Sequence, residues 1–239
     1  MSYSAFFSLN QKIADAIQGI VRFYLPEGGT ILDPTCGKEN YQFGGWVEQM
    51  TLEGTHYDYL SSDLLPFGDV QASVQELPFK DKIADVTVYD PPFTPQATTD
   101  PRGRDYAIQF ERTASDIAGY YSKAILAELA RVTKQFILIR GQDFYFPPNT
   151  PTFYSFFEVA LQHLPKDLSV RAIYPYRYNH HRLPLYRENL KNCVRPIVTH
   201  GYIAVLATPE APERRDGAAI KEIVMQQNWR KEPKHQKLI

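Results

Sequence analysis

Asp33, Asp63, Ser73 and Asp90 each stand where a strand-like run gives way to a loop. Ligands of open α/β sheets sit beyond the carboxyl ends of the strands, so this line of tips is the candidate site. The most specific pattern is Asp90-Pro91-Pro92-Phe93, which joins a carboxylate acceptor, two prolines that stiffen the backbone and an aromatic face. Asp33-Pro34-Thr35-Cys36-Gly37 has neither a Gly-x-Gly-x-x-Gly cradle nor a Walker lysine, so an uncharged or cationic nucleoside suits it better than a pyrophosphate. Asp63 follows Gly37 at roughly the interval at which nucleotide folds place an acid on a ribose diol; a solvated strand-end acid is the alternative.

Basic residues gather later in the chain. Arg171, Arg177, Arg182, Arg187, Lys191 and Arg195 are opposed only by Glu188 and interleaved with Tyr174, Tyr176, Tyr178 and Tyr186. That mixture suits phosphate contacts and base stacking. It equally describes the basic edge of an antiparallel hairpin with tyrosines packed inward. Arg102 and Arg104 are second candidates for a substrate phosphate, with Asp100, Asp105 and Glu111 close by. His180 and His181 point to opposite sides of an extended chain and have no acid or Cys at ligand spacing, so no metal is expected.

The elements that must hold these residues are legible in outline. Ile13, Ile17, Ile20, Val21 and Tyr24 recur at helical spacing until Pro26-Glu27-Gly28-Gly29 stops them. Strands are expected at Thr30–Asp33, at His56–Leu60, near Asp69–Val74 and at Ala84–Tyr89, where two prolines end the ladder and leave Asp90 at the tip. Thr94–Arg112 has no periodicity and reads as a long substrate-side loop. Thr113 or Ser115 would cap a helix carrying Ile117, Tyr121, Ile125, Leu126 and Leu129 up to Val132, before a buried strand at Phe136–Ile139. Phe153–Leu164 looks helical, and Leu168–Tyr174 and Ile197–Leu206 look like strands. Strands alternating with helices and then more strands argue for a largely parallel α/β sheet with an antiparallel edge.

The 239 residues and 27.5 kDa suit one core, read as a domain over 1–208 and a charged tail over 209–239. With 44% hydrophobic and 22% charged residues, neither a disordered chain nor a fibrous repeat fits. A formal charge of -1 supplies no overall field for a polyanion, so nucleic acid must be met by a local patch. Two cysteines, Cys36 and Cys193, are too few for a disulfide framework and favour a reducing, cytoplasmic setting. Neither a leader nor an apolar run of about eighteen residues is visible, so no membrane partner is expected.

Asp33-Pro34-Thr35-Cys36-Gly37 followed by Asp90-Pro91-Pro92-Phe93 resembles motifs I and IV of the S-adenosylmethionine-dependent amino-methyltransferases, which act on exocyclic amines of nucleic-acid bases. The resemblance spans about residues 8 to 208, with Phe7-Ser8-Leu9-Asn10 and Thr199-His200-Gly201-Tyr202-Ile203-Ala204-Val205-Leu206 matching the outer motifs loosely. It implies a Rossmann-like class I methyltransferase fold, with a mostly parallel seven-stranded sheet, an antiparallel edge and helices on both faces. It implies S-adenosyl-L-methionine as cofactor, held by Asp33, Pro34, Thr35, Gly37, Asp63, Ser73 and Asp90. Asp90, Pro91, Pro92 and Phe93 would hold the target base, Phe93 stacking on it, with Arg102, Arg104, Arg177 and Arg182 on the substrate side.

Lys38-Glu39-Asn40 departs from the small residue the family usually places after Gly37. The family's cytosine-carbon methylases use a Cys after a Pro, a position neither Cys36 nor Cys193 takes. Asp-Pro-Pro-aromatic resembles adenine-N6 enzymes, whereas cytosine-N4 enzymes more often begin with Ser. The resemblance therefore implies a DNA adenine-N6 methyltransferase, alone, as a homodimer or with a partner subunit. Some transfer-RNA guanine-N2 enzymes also use Asp-Pro-Pro, so an RNA or transfer-RNA base amino-methyltransferase (guanine N2 or adenine N6) and a catalytically silent nucleic-acid-binding partner subunit are the alternatives.

Overall fold

The first helix, α1 (Ile13–Tyr24), forms on the expected stripe, with Ala16, Ile17, Ile20 and Val21 buried. The computed structural model describes residues 13–37, 47, 54–91, 118–146, 152–162, 164–177 and 200–212. Strands β1 (Gly29–Asp33), β2 (Tyr57–Asp63), β3 (Val70–Gln71), β4 (Ala84–Tyr89) and β5 (Thr133–Gly141) lie parallel to one another. Helix α2 (Lys123–Val132) leads into β5. A hairpin of β6 (Phe144–Phe146) and β7 (Thr152–Tyr154) follows, then β8 (Ser169–Arg177) and β9 (His200–Ala207). The seven-stranded sheet runs β3-β2-β1-β4-β5-β9-β8. Its antiparallel pairing is at the expected end, where reversed β9 sits between β5 and β8.

Strand alternation divides the core into two layers. Ile31, Val86, Val88, Phe136, Leu138, Ile203 and Val205 pack with α1 on one face. Leu32, Tyr89, Ile137, Ile139, Ala204 and Leu206 pack with α2 on the other. By the same alternation, Asp33 and Asp90, at the carboxyl ends of β1 and β4, fall on the α1 side.

Several elements differ from the sequence expectation. The helix before β5 is capped by Ser122, whose hydroxyl accepts from the Ile125 N–H at 3.5 Å, and Tyr121 stands in the preceding turn. Thr113 and Ser115 lie outside the described residues. The expected helix over Phe153–Leu164 is instead a strand followed by one π-helical turn, Phe157–Leu161. Phe153 pairs with Tyr145 across β6 and β7, so residues rich in β-propensity found a partner that local periodicity does not show. Strand β3 keeps two residues, because the chain turns at Ser73, which bridges to Glu76. Packing also continues past residue 208, since Ala211 is buried in the α1 layer.

Strands β4 and β5 are fastened by a buried hydroxyl pair, Thr87 and Thr133, 2.6 Å apart. Thr133 gives its proton to the Leu129 carbonyl, also at 2.6 Å, so Thr87 must be the donor within the pair. Thr133→Val would strand the Thr87 proton in apolar surroundings, whereas Thr87→Val leaves Thr133 still donating. Chemical denaturation is expected to show a loss of about 1–3 kcal/mol for Thr133→Val and under about 1 kcal/mol for Thr87→Val. Equal losses would reverse the assignment of donor.

Candidate functional site

The carboxyl ends of β1, β2 and β4 carry Asp33, Asp63 and Asp90, and the first loop binds all three. Asp33 is fully buried. Its Oδ1 accepts from the Thr35 backbone N–H at 3.1 Å and from the Thr35 hydroxyl at 3.4 Å, while its Oδ2 accepts from the Tyr59 hydroxyl at 3.0 Å. The Thr35 hydroxyl in turn accepts from the Asp90 backbone N–H at 3.0 Å, so one side chain links the tips of β1 and β4. Asp63 accepts from the Gly37 N–H at Oδ2 and the Leu65 N–H at Oδ1, both at 3.0 Å. Gly37 reaches this position with φ of +66°, a backbone state that disfavours side chains.

The loop after β2 is held by Asp69, whose carboxylate accepts from the Ser61 hydroxyl at 2.6 Å and from the Ser61 N–H at 3.1 Å. Ser73, expected beside an adenine ring, accepts from the Gln75 N–H at 3.2 Å in its own turn. Pro34 and Pro91 are buried at the two tips. Pro92, Phe93, Arg102, Arg104 and Arg182, and the side chain of Arg177, lie outside the described residues. Tyr176 is buried and Tyr174 half-buried, its hydroxyl 3.4 Å from that of Tyr24. These two tyrosines therefore pack inward as the hairpin alternative requires and are not stacking platforms for bases.

Sequence reasoning missed Arg140. Parallel register sets Tyr89 beside Ile139, so Asp90 and Arg140 are neighbours one residue further along. The Arg140 Nη1 donates to Asp90 Oδ2 at 2.6 Å, with 16% and 14% of the two side chains exposed. Its Nε donates to the Tyr176 hydroxyl at 2.8 Å. The only sequence signal was a lone cation ending the apolar run Phe136-Ile137-Leu138-Ile139.

Burial dominates the electrostatics. It pushes the Asp33 carboxyl up to about 7, opposed by the Thr35 N–H and the Tyr59 hydroxyl and reinforced by the charges of Asp90 and Asp63. Cys36 is pushed up to about 12, first by burial and then by Asp33 and Asp63, so its thiol is protonated and no nucleophile. Among the described residues no group of three His, Cys, Asp or Glu side chains is placed to hold a metal. No described helix is long and apolar enough to cross a membrane.

No protein-family model and no curated protein sequence matches the chain. Solved structures resemble it in overall shape. One, provisionally described as a class I S-adenosylmethionine-dependent methyltransferase from Listeria monocytogenes, is 17% identical with a TM-score of 0.46, covering 93% of this chain and 73% of its own. A SAM-dependent methyltransferase from Aquifex aeolicus is 14% identical with a TM-score of 0.46, covering 84% and 92%. The geranyl diphosphate C-methyltransferase from Streptomyces coelicolor A3(2), solved with Mg2+, geranyl diphosphate and S-adenosyl-L-homocysteine, is 9% identical with a TM-score of 0.45, covering 81% and 80%. The fold assignment rests on this chain's own strand order: seven strands with the last reversed and inserted beside β5 make the Rossmann-like class I methyltransferase sheet.

Asp33 has a consequence for stability. Between an unfolded value of 3.8 and a folded value of about 7, the native state keeps a proton that the unfolded chain has lost. Stability from this group is complete at low pH and is lost as pH rises toward 7, with a slope of up to about 1.4 kcal/mol per pH unit. Urea midpoints of Asp33→Asn between pH 5 and pH 8 are expected to fall less steeply than those of the unsubstituted protein. Parallel slopes would mean that Asp33 is ionised throughout.

Proposed function

We propose that the chain is an S-adenosyl-L-methionine-dependent methyltransferase acting on an exocyclic amine of a nucleic-acid base, adenine N6 in DNA foremost. The observation carrying this reading is that Asp90, at the tip of β4, is tied through Thr35 to the Asp33 loop. A site for a base amine and a site for a methyl donor would thus share one hydroxyl.

The acid set suits the donor. Asp33, Asp63 and Asp90 make an anionic cluster in which Arg140 is the bonded cation among the described residues, and a sulfonium and an ammonium would complement it. Asp63 and Gly37 would hold the ribose side, and Asp33 and Thr35 the methionine side. When bound, the donor supplies an electrophilic methyl carbon on a positively charged sulfur.

The chain's own task is to make an aromatic amine nucleophilic. Its lone pair is delocalised into the ring, and acceptors on both N–H groups favour a more tetrahedral nitrogen. The Asp90 carboxylate and the Pro91 carbonyl are those acceptors in this reading. Asp90 Oδ2 is engaged by Arg140, while Oδ1 has no hydrogen-bond partner among the described residues and is the oxygen offered. The donor would give its methyl to the amine nitrogen and leave as a neutral thioether, and Asp90 would accept the surplus amine proton or pass it to water. Holding amine, methyl and sulfur in line accounts for much of the catalysis. Phe93, by its place in the motif, would stack on the extruded base.

The test is transfer of labelled methyl to unmethylated duplex DNA, with transfer RNA in parallel and nucleoside analysis of the product. N6-methyladenine in DNA is expected, falling at least about 100-fold in Asp90→Ala. Label in RNA alone would move the substrate to the RNA alternative. Absence of label on both, from protein that binds nucleic acid but not the donor, would favour a silent subunit.

Donor binding should also be linked to pH. A cation in the cluster favours ionised Asp33, so affinity is expected to rise between pH 6 and 7, by at most about tenfold, and to level off above. Calorimetry in two buffers of different ionisation heat should show proton release near pH 6.5, and its absence would remove Asp33 from the donor site.

A further inference from the structure

We infer that Arg140 is the positioning residue for Asp90, and that Tyr176 and Gly201 exist in this form to fix Arg140. This rests on the methyltransferase reading above and adds to it a device at the far end of the sheet.

A carboxylate on a single bond at a strand tip can turn. An acceptor for an amine must have one oxygen aimed at the substrate when the methyl arrives, and an error of about 1 Å costs on the order of 100-fold in rate. Asp90 is held by two hydrogen bonds and by the strand before it. Its backbone N–H goes to Thr35, its Oδ2 receives the Arg140 guanidinium at 2.6 Å, and its backbone follows directly from β4. The first and last hold the main chain, so the orientation of the carboxylate is set by Arg140.

Arg140 would itself be a poor anchor if it were free to move, and the structure holds its main chain from one side and its guanidinium from the other. From the α2 layer, the buried Tyr121 hydroxyl donates to the Arg140 carbonyl at 3.0 Å. From the α1 layer, the Tyr176 hydroxyl accepts from Nε at 2.8 Å, and the guanidinium carbon lies 5.5 Å from the centre of the same ring. One aromatic side chain therefore supplies both a hydrogen bond and a face.

Tyr176 takes that place because Gly201 lies opposite it in the β8–β9 ladder. A Cβ on residue 201 would stand 2.5 Å from the Tyr176 hydroxyl oxygen and 2.6 Å from its ring carbon Cζ. The ring is buried, so it could not swing away cheaply. A contact chain thus runs Gly201, Tyr176, Arg140, Asp90 across four strands, from the antiparallel end of the sheet to the tip of β4.

The experiment compares methyl transfer by the full-length protein with that of Arg140→Gln, Arg140→Lys and Tyr176→Phe, each checked for folding by circular dichroism and thermal melting. Expected are a fall in kcat of about 10- to 100-fold for Arg140→Gln, a KM for the donor within about threefold of the unsubstituted protein, and recovery of most of kcat in Arg140→Lys. Tyr176→Phe, which removes one hydroxyl, is expected to lower kcat by about 3- to 10-fold with the donor KM unchanged. An unchanged or raised kcat in folded Arg140→Gln would overturn the inference, as would equal losses in Gln and Lys variants. Should Arg140→Gln fail to fold, Tyr176→Phe decides: unchanged kcat overturns the positioning role. Failure of the underlying reading appears elsewhere, as absence of transfer by the unsubstituted protein on both DNA and transfer RNA, and would overturn both together.

Discussion

Three carboxylates gathered at neighbouring strand tips, one of them fully buried, set the constraint on which the site depends. Like charges at close range in a low-dielectric setting repel, and each also loses hydration. The chain meets this by three different means. Asp33 takes two donors from Thr35 and one from Tyr59 and shares its charge with a proton near neutrality. Asp63 takes two backbone N–H groups, from Gly37 and Leu65. Asp90 takes a guanidinium. Each answer recruits a different element, so the conformation of the first loop, the turn after β2 and the end of β5 all follow from accommodating the same negative charge.

The acids themselves were legible because strand ends are marked by punctuation. Pro34 after Asp33, and Pro91-Pro92 after Asp90, end ladder pairing wherever the fold places them, and the apolar runs before them are short and β-branched. Their partners were not legible. Arg140 meets Asp90 only through the β4–β5 register, which brings together two residues fifty positions apart in the chain. Tyr176 reaches Arg140 because β9 reverses and carries β8 beside it, and no local pattern announces a reversed strand. The β6–β7 hairpin was missed for a related reason. A segment such as Thr152–Tyr154 pairs with Phe144–Phe146 beyond its own neighbourhood, while the three- and four-residue spacing of Phe153 with Phe156, Phe157 and Ala160 draws it into the helical turn that begins only after it.

The two faces of the sheet divide the work between them. On the α2 side, Tyr89, Tyr121 and Phe156 are buried in edge-on contacts, and Phe156 stacks on Tyr202 with ring centroids 5.7 Å apart. Asp143 receives the Phe156 N–H at 2.8 Å and the Tyr202 hydroxyl at 3.1 Å, fastening the chain after β5 to β9. This side is apolar, and its polar atoms pair with backbone and with one another. On the α1 side the same strands end in Asp33, Asp90 and Arg140, which bond to Thr35 and Tyr59, to each other across β4 and β5, and to Tyr176. Alternation along each strand assigns consecutive residues to these two tasks, so Ile139 packs the core while Arg140 serves the site.

That division bears on how an acidic pocket accepts a polyanion, which the proposed substrate is. A cluster of unpaired carboxylates would repel phosphates over roughly a Debye length, about 8 Å at physiological salt. Here the acid nearest the proposed base is paired with Arg140, and the most buried acid holds a proton part of the time at neutral pH. The remaining negative charge is concentrated at Asp63, on the other side of β1, where the ribose of the donor is placed in the proposed reading. In the proposed reading the cationic methionine side of the donor would face Asp33 on β1 and its ribose Asp63 on β2, while the anionic polymer would meet Asp90 and Arg140 on β4 and β5. In that reading the Arg140 pair would neutralise Asp90 toward the polymer while leaving one of its oxygens in place to accept from the amine.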